Sequence, residues 1–389
     1  MRVLLSTYGS RGDVEPMLGL AVQLRALGAE VRVCAPPNFA ERVAEVGFEL
    51  VPAGRSARTL ATGHAAELFA GQFDAVSAVT EAAAGCDALV ATGMIPAAAG
   101  VRSAAEKLGI GYVYTTFQQL MLPSPHQPPL MYPGRPFPPE RTDAKSINAM
   151  FGEMLNTYRT SIGLAPVDDV RDYVRDDVIG KRPWLATDPV LDPWQATPDL
   201  DVVQTGAWIL PDERPLPADI EAFLDADTPP VYVGFGSMPM DESTDVASVA
   251  VEAIRAQGRR AVVAGGWAGL AVTDGDDCIG VGEVNQQALF GRVAAVVHHG
   301  GAGTTTTTAL AGAPQVVIPQ AADQPYWAGR VAELGIGAAH DGPTPDVESL
   351  TAALQTALTP ETRARASSVA ATIRADGAMV AAKLVRDES

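Results

Sequence analysis

Short apolar, β-branched runs alternate with stretches of helical periodicity from the first residues onward. Val3-Leu4-Leu5 reads as a buried strand. Met17, Leu20, Ala21, Leu24 and Leu27 then recur at the spacing of one helix face, with Gly28 as the stop. Val31-Arg32-Val33-Cys34 predicts a second strand, 38–46 a second helix and Phe48-Glu49-Leu50-Val51 a third strand. The rhythm resumes with Ala88-Leu89-Val90, a helix near 97–108 and Tyr112-Val113-Tyr114. Strands separated by single helices imply parallel pairing through right-handed crossovers, so a doubly wound α/β domain is expected.

A second such rhythm starts further on. Val231-Tyr232-Val233, a helix over 245–256, Ala261-Val262-Val263, Ala294-Ala295-Val296-Val297, a helix from about 304 and Val316-Val317-Ile318 follow in turn, then helices near 325–334 and 348–357. Between the two halves, Gly206-Ala207-Trp208-Ile209-Leu210-Pro211-Asp212-Glu213-Arg214-Pro215 reads as a linker. The expected organisation is an N-terminal Rossmann-like domain over 1–205, a linker over 206–218, a C-terminal Rossmann-like domain over 219–373, and a last helix over 374–389 packing back on the first domain. Ligands of open α/β sheets bind at the carboxyl ends of the strands, so two facing domains would hold one substrate each. Two loops resist a secondary-structure reading. One spans 53–72, and the other spans 123–139, where eight prolines from Pro123 to Pro139 leave little regular structure.

Composition narrows the function classes. Acidic residues outnumber basic ones 46 to 28, a net charge of −18, which excludes a sequence-independent nucleic-acid binder. With 47% apolar residues the chain can bury a full core, and no apolar run approaches the ~18 residues of a membrane span. Met1-Arg2-Val3 runs directly into a strand, so no signal peptide is expected, and Cys34, Cys86 and Cys278 read as reduced thiols of a cytoplasmic protein.

Four segments can carry chemistry. His298-His299-Gly300-Gly301-Ala302-Gly303, followed by Thr304 to Thr308, sits between a strand and a helix. Glycines admit backbone N–H groups to a ligand, a helix N-terminus carries about half a unit of positive charge, and threonine and histidine add donors. This suits a pyrophosphate, although the spacing is neither a Walker A loop nor G-x-G-x-x-G; a capped turn of small residues is the bland alternative. Tyr8-Gly9-Ser10-Arg11-Gly12-Asp13-Val14-Glu15-Pro16 follows the first strand. Asp13 there reads either as the helix N-cap or as a general base at the strand's carboxyl end, and Arg11 either as a surface residue or as a phosphate contact. Gly234-Phe235-Gly236-Ser237 permits close approach of a diphosphate, with Ser237 as donor. Asp323-Gln324 offers paired acceptors and donors for sugar hydroxyls, with Asp323 as an N-cap the alternative. The Asp-x-Asp turns at Asp199/Asp201 and Asp225/Asp227 read as solvated acids, and no metal site is expected.

With these segments in view, the chain resembles the GT-B nucleotide-sugar glycosyltransferases that modify vancomycin-type glycopeptide antibiotics. The resemblance rests on Gly9 to Pro16, Gly206 to Pro215, Gly234 to Ser237, Val281-Gly282-Glu283-Val284-Asn285, Ala288 to Val293, the His298–Thr304 loop and Asp323-Gln324-Pro325-Tyr326. It implies two facing Rossmann-like domains with a cleft between them, an acceptor in the first and a dTDP- or UDP-sugar in the second. Asp13 matches the general base. Ser10, Arg11, Ser237, His298, His299, Gly300, Gly301, Gly303 and Thr304 fall to the diphosphate. Trp267 and Val284 fall near the nucleotide base, with Asn285 a weaker candidate, and Asp323 and Gln324 on the sugar. Inversion without a metal, no cofactor beyond the donor and a monomeric enzyme are further expectations. Gly301 stands where many members carry Ser, and five consecutive threonines depart from the pattern. The expected acceptor is a glycopeptide aglycone or intermediate recognised by loops 53–72 and 123–139, where Met121 and Met131 suggest an adaptable apolar surface that could also touch a membrane transiently. A sterol or lipid glycosyltransferase, a nucleotide-sugar epimerase and a non-catalytic relative remain alternatives.

Overall fold

The computed structural model describes residues 1–57, 76–93, 95–127, 131–132, 135–136, 148–226, 228–236, 246–266 and 276–388. Two parallel sheets dominate it. The first runs β3-β2-β1-β4-β5-β8-β9, built from β1 (Arg2–Ser6), β2 (Glu30–Ala35), β3 (Leu50–Pro52), β4 (Ala88–Ala91), β5 (Gly111–Thr116), β8 (Trp184–Leu185) and β9 (Val203–Gln204). The second runs β12-β11-β10-β13-β14-β15, from β10 (Val231–Gly234), β11 (Ala261–Ala264), β12 (Cys278–Val281), β13 (Ala295–His298), β14 (Gln315–Val317) and β15 (Gly337–Ala339). A two-residue antiparallel pair, β6 (Met131–Tyr132) with β7 (Arg135–Pro136), lies in the proline-rich loop, where little regular structure was expected.

Each sheet has helices on both faces, which is why its central strands are continuously apolar. Val3 and Leu5 enter one core with Val14, Met17, Leu18 and Ala21 of the helix Arg11–Ala26. Leu4 enters the opposite core with Leu89, Ala97 and Val101. In the second sheet Val231 and Val233 pack against the helices Val246–Arg255 and Val347–Ala357, while Tyr232 faces Leu289 and Phe290. The chain ends in the helix Gly377–Glu388, whose Ala378, Ala381, Ala382 and Val385 join the core on the outer face of the first sheet. Small residues at that spacing bring it close against Arg11–Ala26.

The strand orders reverse between β1 and β4 and again between β10 and β13, where connections leave to opposite sides and open a crevice at the carboxyl ends. The loops after β1, β10 and β13 therefore emerge at these two switch points. The linker is anchored at both ends. Trp208 is buried edge-on against Trp184 and Phe117 and donates its indole N–H to Thr205 Oγ1 at 2.9 Å. On the other side, Asn285 Nδ2 donates to the carbonyls of Asp212 and Arg214 at 2.8 and 2.7 Å.

Candidate functional site

The first loop places its carboxylate by a local rule. Ser10 is the N-cap of Arg11–Ala26, its hydroxyl accepting from the Gly12 amide at 3.3 Å, and Asp13 is the third helical residue, accepting the Ser10 amide on Oδ2 at 2.8 Å. This reciprocal capping box corrects the reading of Asp13 as the N-cap, and it leaves the O–H of Ser10, which only accepts from Gly12, as a donor. Pro16 lies in the helix interior, beyond the first turn. One Asp13 oxygen is held, the side chain is only part-buried, and its pKa is pushed up to about 6, first by desolvation and further by the Asp323 charge. The carboxylate folds back so closely over Gly9 that a Cβ there would sit 2.1 Å from Oδ2.

The loop after β13 divides its two histidines. His298 is fully buried. The Gly300 amide donates to its Nδ1 at 3.0 Å, so the proton is on Nε2, which donates to Gln315 Oε1 at 2.8 Å. Gln315 Nε2 in turn donates to the Thr305 carbonyl at 3.3 Å. Burial pushes the pKa of His298 down to about 4, keeping it neutral. His298 and the Gly300 amide therefore brace the loop and are not free for a diphosphate, which corrects both assignments. Gly300 has φ 89° and lies so near Val317 that a Cβ would meet its Cγ1 at 2.7 Å.

His299 differs. The residue is part-exposed, its buried Nδ1 has no hydrogen-bond partner among the described residues, and burial followed by the charge of His298 lowers its pKa to about 3. Its ring leans over Gly301, where a Cβ would lie 2.5 Å from Nε2, so a serine at 301 would require the ring to shift. Gly301 is the N-cap of the helix Ala302–Leu310, whose first backbone bond runs from the Thr305 amide to the Gly301 carbonyl at 2.9 Å. The amides of Ala302, Gly303 and Thr304 precede that bond and form an anion-seeking helix end, with Gly303 exposed.

The third loop follows β14. Asp323 holds the N-cap place of the helix Gln324–Glu333, but its side chain makes no cap bond. Instead Oδ2 accepts the buried Trp327 indole at 2.8 Å, and burial raises its pKa to about 6. Gln324 Oε1 accepts the amides of Gln320 and Ala321 at 2.7 and 3.1 Å. The pair thus offers a ligand one carboxylate oxygen and one amide nitrogen, less than two complete polar groups. The preceding Ala322 has φ 55°, a strained turn for a residue with a Cβ.

Arg11 sits at the mouth of the cleft. It pairs with Glu15 on its own helix and with Glu283 of the second domain, both at 3.2 Å, rather than standing free for a phosphate. Val284 is buried in the second domain's core, and Asn285 is committed to the linker and to the Ala288 amide. Ser237 and Trp267 lie outside the described residues, as do 58–72 and most of 128–147. Sequence reasoning missed Trp327, four residues beyond Asp323, and Gln315, the partner of His298. The i, i+4 spacing could have revealed the first; the second needs the strand register that sets His298 beside Val317.

Two Rossmann-like domains, each with its ligand loops at a switch point and with carboxylates from both close enough to interact, define a GT-B glycosyltransferase architecture. Residues 3–119 match the Glycosyltransferase family 28 N-terminal domain, and 274–385 match the Erythromycin biosynthesis protein CIII-like, C-terminal domain. Three proteins of Amycolatopsis orientalis align over nearly the whole chain. Glycosyltransferase GtfE is 56% identical over 99% of this chain and 97% of its own, and Vancomycin aglycone glucosyltransferase is 54% identical over 100% and 97%. The dTDP-epi-vancosaminyltransferase is 52% identical over 95% and 93%. The solved glycotransferase of kitacinnamycin shares the fold, with a TM-score of 0.74 at 22% identity over 99% of this chain and 98% of that one. The chain belongs to the GT-B glycosyltransferases of the vancomycin-type glycopeptide antibiotic group.

Proposed function

We propose that the enzyme moves a sugar, with inversion and without a metal, from a dTDP- or UDP-sugar to a hydroxyl of a glycopeptide aglycone or a partly glycosylated intermediate. The observation that carries this reading is Asp13, a carboxylate with its pKa raised to about 6 at the first switch point, set across from Asp323 of the donor-side domain. Deprotonated, Asp13 takes the proton of the acceptor hydroxyl as its oxygen attacks the anomeric carbon. The bond from that carbon to the diphosphate breaks with its electron pair leaving on the phosphate. The amides of Ala302, Gly303 and Thr304 and the N–H of His299 meet the charge that develops there. Asp323 and Gln324 orient the sugar. The names of the relatives support the acceptor class and, for one of them, the dTDP donor.

Incubating the enzyme with a panel of dTDP- and UDP-sugars and glycopeptide aglycones, followed by mass spectrometry, tests this. One donor is expected to give an acceptor mass increment. Asp13→Asn is expected to lower the rate by about 10²–10⁴-fold while nucleotide affinity persists. Full activity in that variant sinks the base assignment, and donor turnover without any acceptor would favour an epimerase instead.

A further inference from the structure

The helix Gln324–Glu333, which begins one residue after Asp323, is fastened to the first domain along its length. Leu191, on the segment between β8 and β9, is buried in the second domain's core among Trp327, Ala328, Val331 and Ile336. Arg330 donates to the carbonyls of Leu191 and Val190 at 2.9 and 3.0 Å. At the end nearest the cleft stands a polar cluster built on two buried side chains, Asp192 and Gln119. Tyr326 donates its hydroxyl to Asp192 Oδ1 at 2.6 Å, and Gln119 Nε2 donates to both the Tyr326 oxygen and Asp192 Oδ1 in short contacts. Asp192 is 0% exposed and Gln119 6%. Gln119 lies just after β5, a few residues before the proline-rich loop, and its side-chain Oε1 accepts Gln127 Nε2 at 3.1 Å. Asp192 is held from behind by Gln204, which donates to its backbone carbonyl at 2.7 Å.

A hydrophobic contact could join two domains at lower cost than a desolvated carboxylate with two polar neighbours on one of its oxygens. Such clusters are sensitive to geometry, because each partner loses its bond if the domains slip by an ångström or so. Tyr326 is three residues from Asp323, and its ring packs edge-on to Trp327, 5.5 Å between centroids, the same side chain whose indole pins Asp323.

We propose that Tyr326 is a positioning residue for Asp323 and Gln324, locked by Gln119 and Asp192 of the other domain, so that the two sugar-facing groups are in register only when the acceptor-side segment 119–127 is seated. This rests on the function proposed above. Tyr326 touches no reacting atom. It fixes where the sugar lies relative to Asp13.

The test compares wild type, Tyr326→Phe, Gln119→Leu and the double variant in three measurements: affinity for the nucleoside diphosphate alone, affinity for the intact nucleotide sugar, and kcat with KM for transfer. Tyr326→Phe keeps the ring and removes only the hydroxyl. The expected result is nucleoside diphosphate affinity within about twofold of wild type, loss of the extra affinity conferred by the sugar, and kcat lower by about tenfold or more. Gln119→Leu is expected to reproduce this from the other domain, with the double variant no worse than either single one, as for residues of one network. Wild-type kcat and sugar-dependent affinity in both single variants overturn the proposal. So does an equal weakening of both ligands, which general loosening of the fold would produce. Should Tyr326→Phe fail to fold, Gln119→Leu decides alone. A wild-type chain that transfers no sugar brings down the proposed function and this inference together; a wild type that transfers, alongside variants that match it, brings down this inference only.

Discussion

Asp13 ties activity and stability to one proton. Its raised pKa means that the folded protein holds the proton more tightly than the unfolded chain, where an aspartate titrates near ~3.9. The stabilisation is complete below the unfolded value and is lost as pH rises through about 6. Catalysis needs the opposite state. The kcat/KM for the acceptor is expected to rise with pH through a limb near 6, and Asp13→Asn to lose that limb with its activity. The same variant is expected to be more stable than wild type at pH 7 by about 1–2 kcal/mol, the difference vanishing below about pH 4. Denaturant unfolding at the two pH values checks the sign, and a less stable Asp13→Asn at pH 7 would refute the raised pKa. The residue itself was legible in the sequence; its capping-box position was not. Ser10 and Asp13 are both acceptable N-caps, and only the observed bonds show that Ser10 starts the helix and holds the base from its third position.

At the scale of the element, the strand–loop–helix unit from β13 to Ala302–Leu310 explains why adjacent histidines have different jobs. His298 ends a buried strand, so alternation turns it into the core, where it needs two partners and finds them in Gln315 and the Gly300 amide. His299 leans instead over Gly301, and its buried Nδ1 has no hydrogen-bond partner among the described residues. His298→Ala leaves buried polar groups unpaired and is expected to cost about 2–4 kcal/mol of stability. His299→Ala is expected to leave the unfolding midpoint near wild type and to lower kcat by about 10²-fold. Thermal unfolding measured beside turnover separates the two; equal losses in both variants would contradict the division. The loop's glycine and histidine content made it visible as an anion site, but the tautomer and the bracing depend on Gln315, contributed by the next strand. Other elements were hidden for plainer reasons. β15 is Gly337-Ala338-Ala339, without a single β-branched residue, and it exists because Gly337 fits where a Cβ would lie 2.0 Å from the Gln315 carbonyl oxygen. β12, Cys278-Ile279-Gly280-Val281, is broken by a glycine, and β8 and β9 have two residues each. The long, fully buried strands at the sheet centres were readable, whereas the short edges depend on their neighbours.

For the whole molecule, the charge of −18 sets a condition on how an anionic donor reaches its site. Its long-range field opposes a nucleotide diphosphate, so the attraction must be short in range. Two of the described cations near the first loop are already paired, Arg11 with Glu15 and Glu283, and Arg42 with Glu15 and Glu45. Among the described residues, the short-range attraction falls to the helix end at Ala302–Thr304 with His299, whose influence falls off within about one turn. Salt acts differently on the two fields. At 0.15 M the Debye length is about 8 Å, enough to suppress repulsion between the protein's surface charge and an approaching donor, while a half-buried helix end in contact with phosphate is screened much less. The association rate for the nucleotide sugar is therefore expected to rise, by about twofold to tenfold, between ~0.01 and ~0.15 M salt, with the dissociation rate changing little. An electrostatically steered enzyme shows the reverse. Stopped-flow binding across that range decides between them. A rate that falls with salt would mean that positive potential extends beyond the helix end, and that Arg11 leaves Glu283 to meet the donor before it docks.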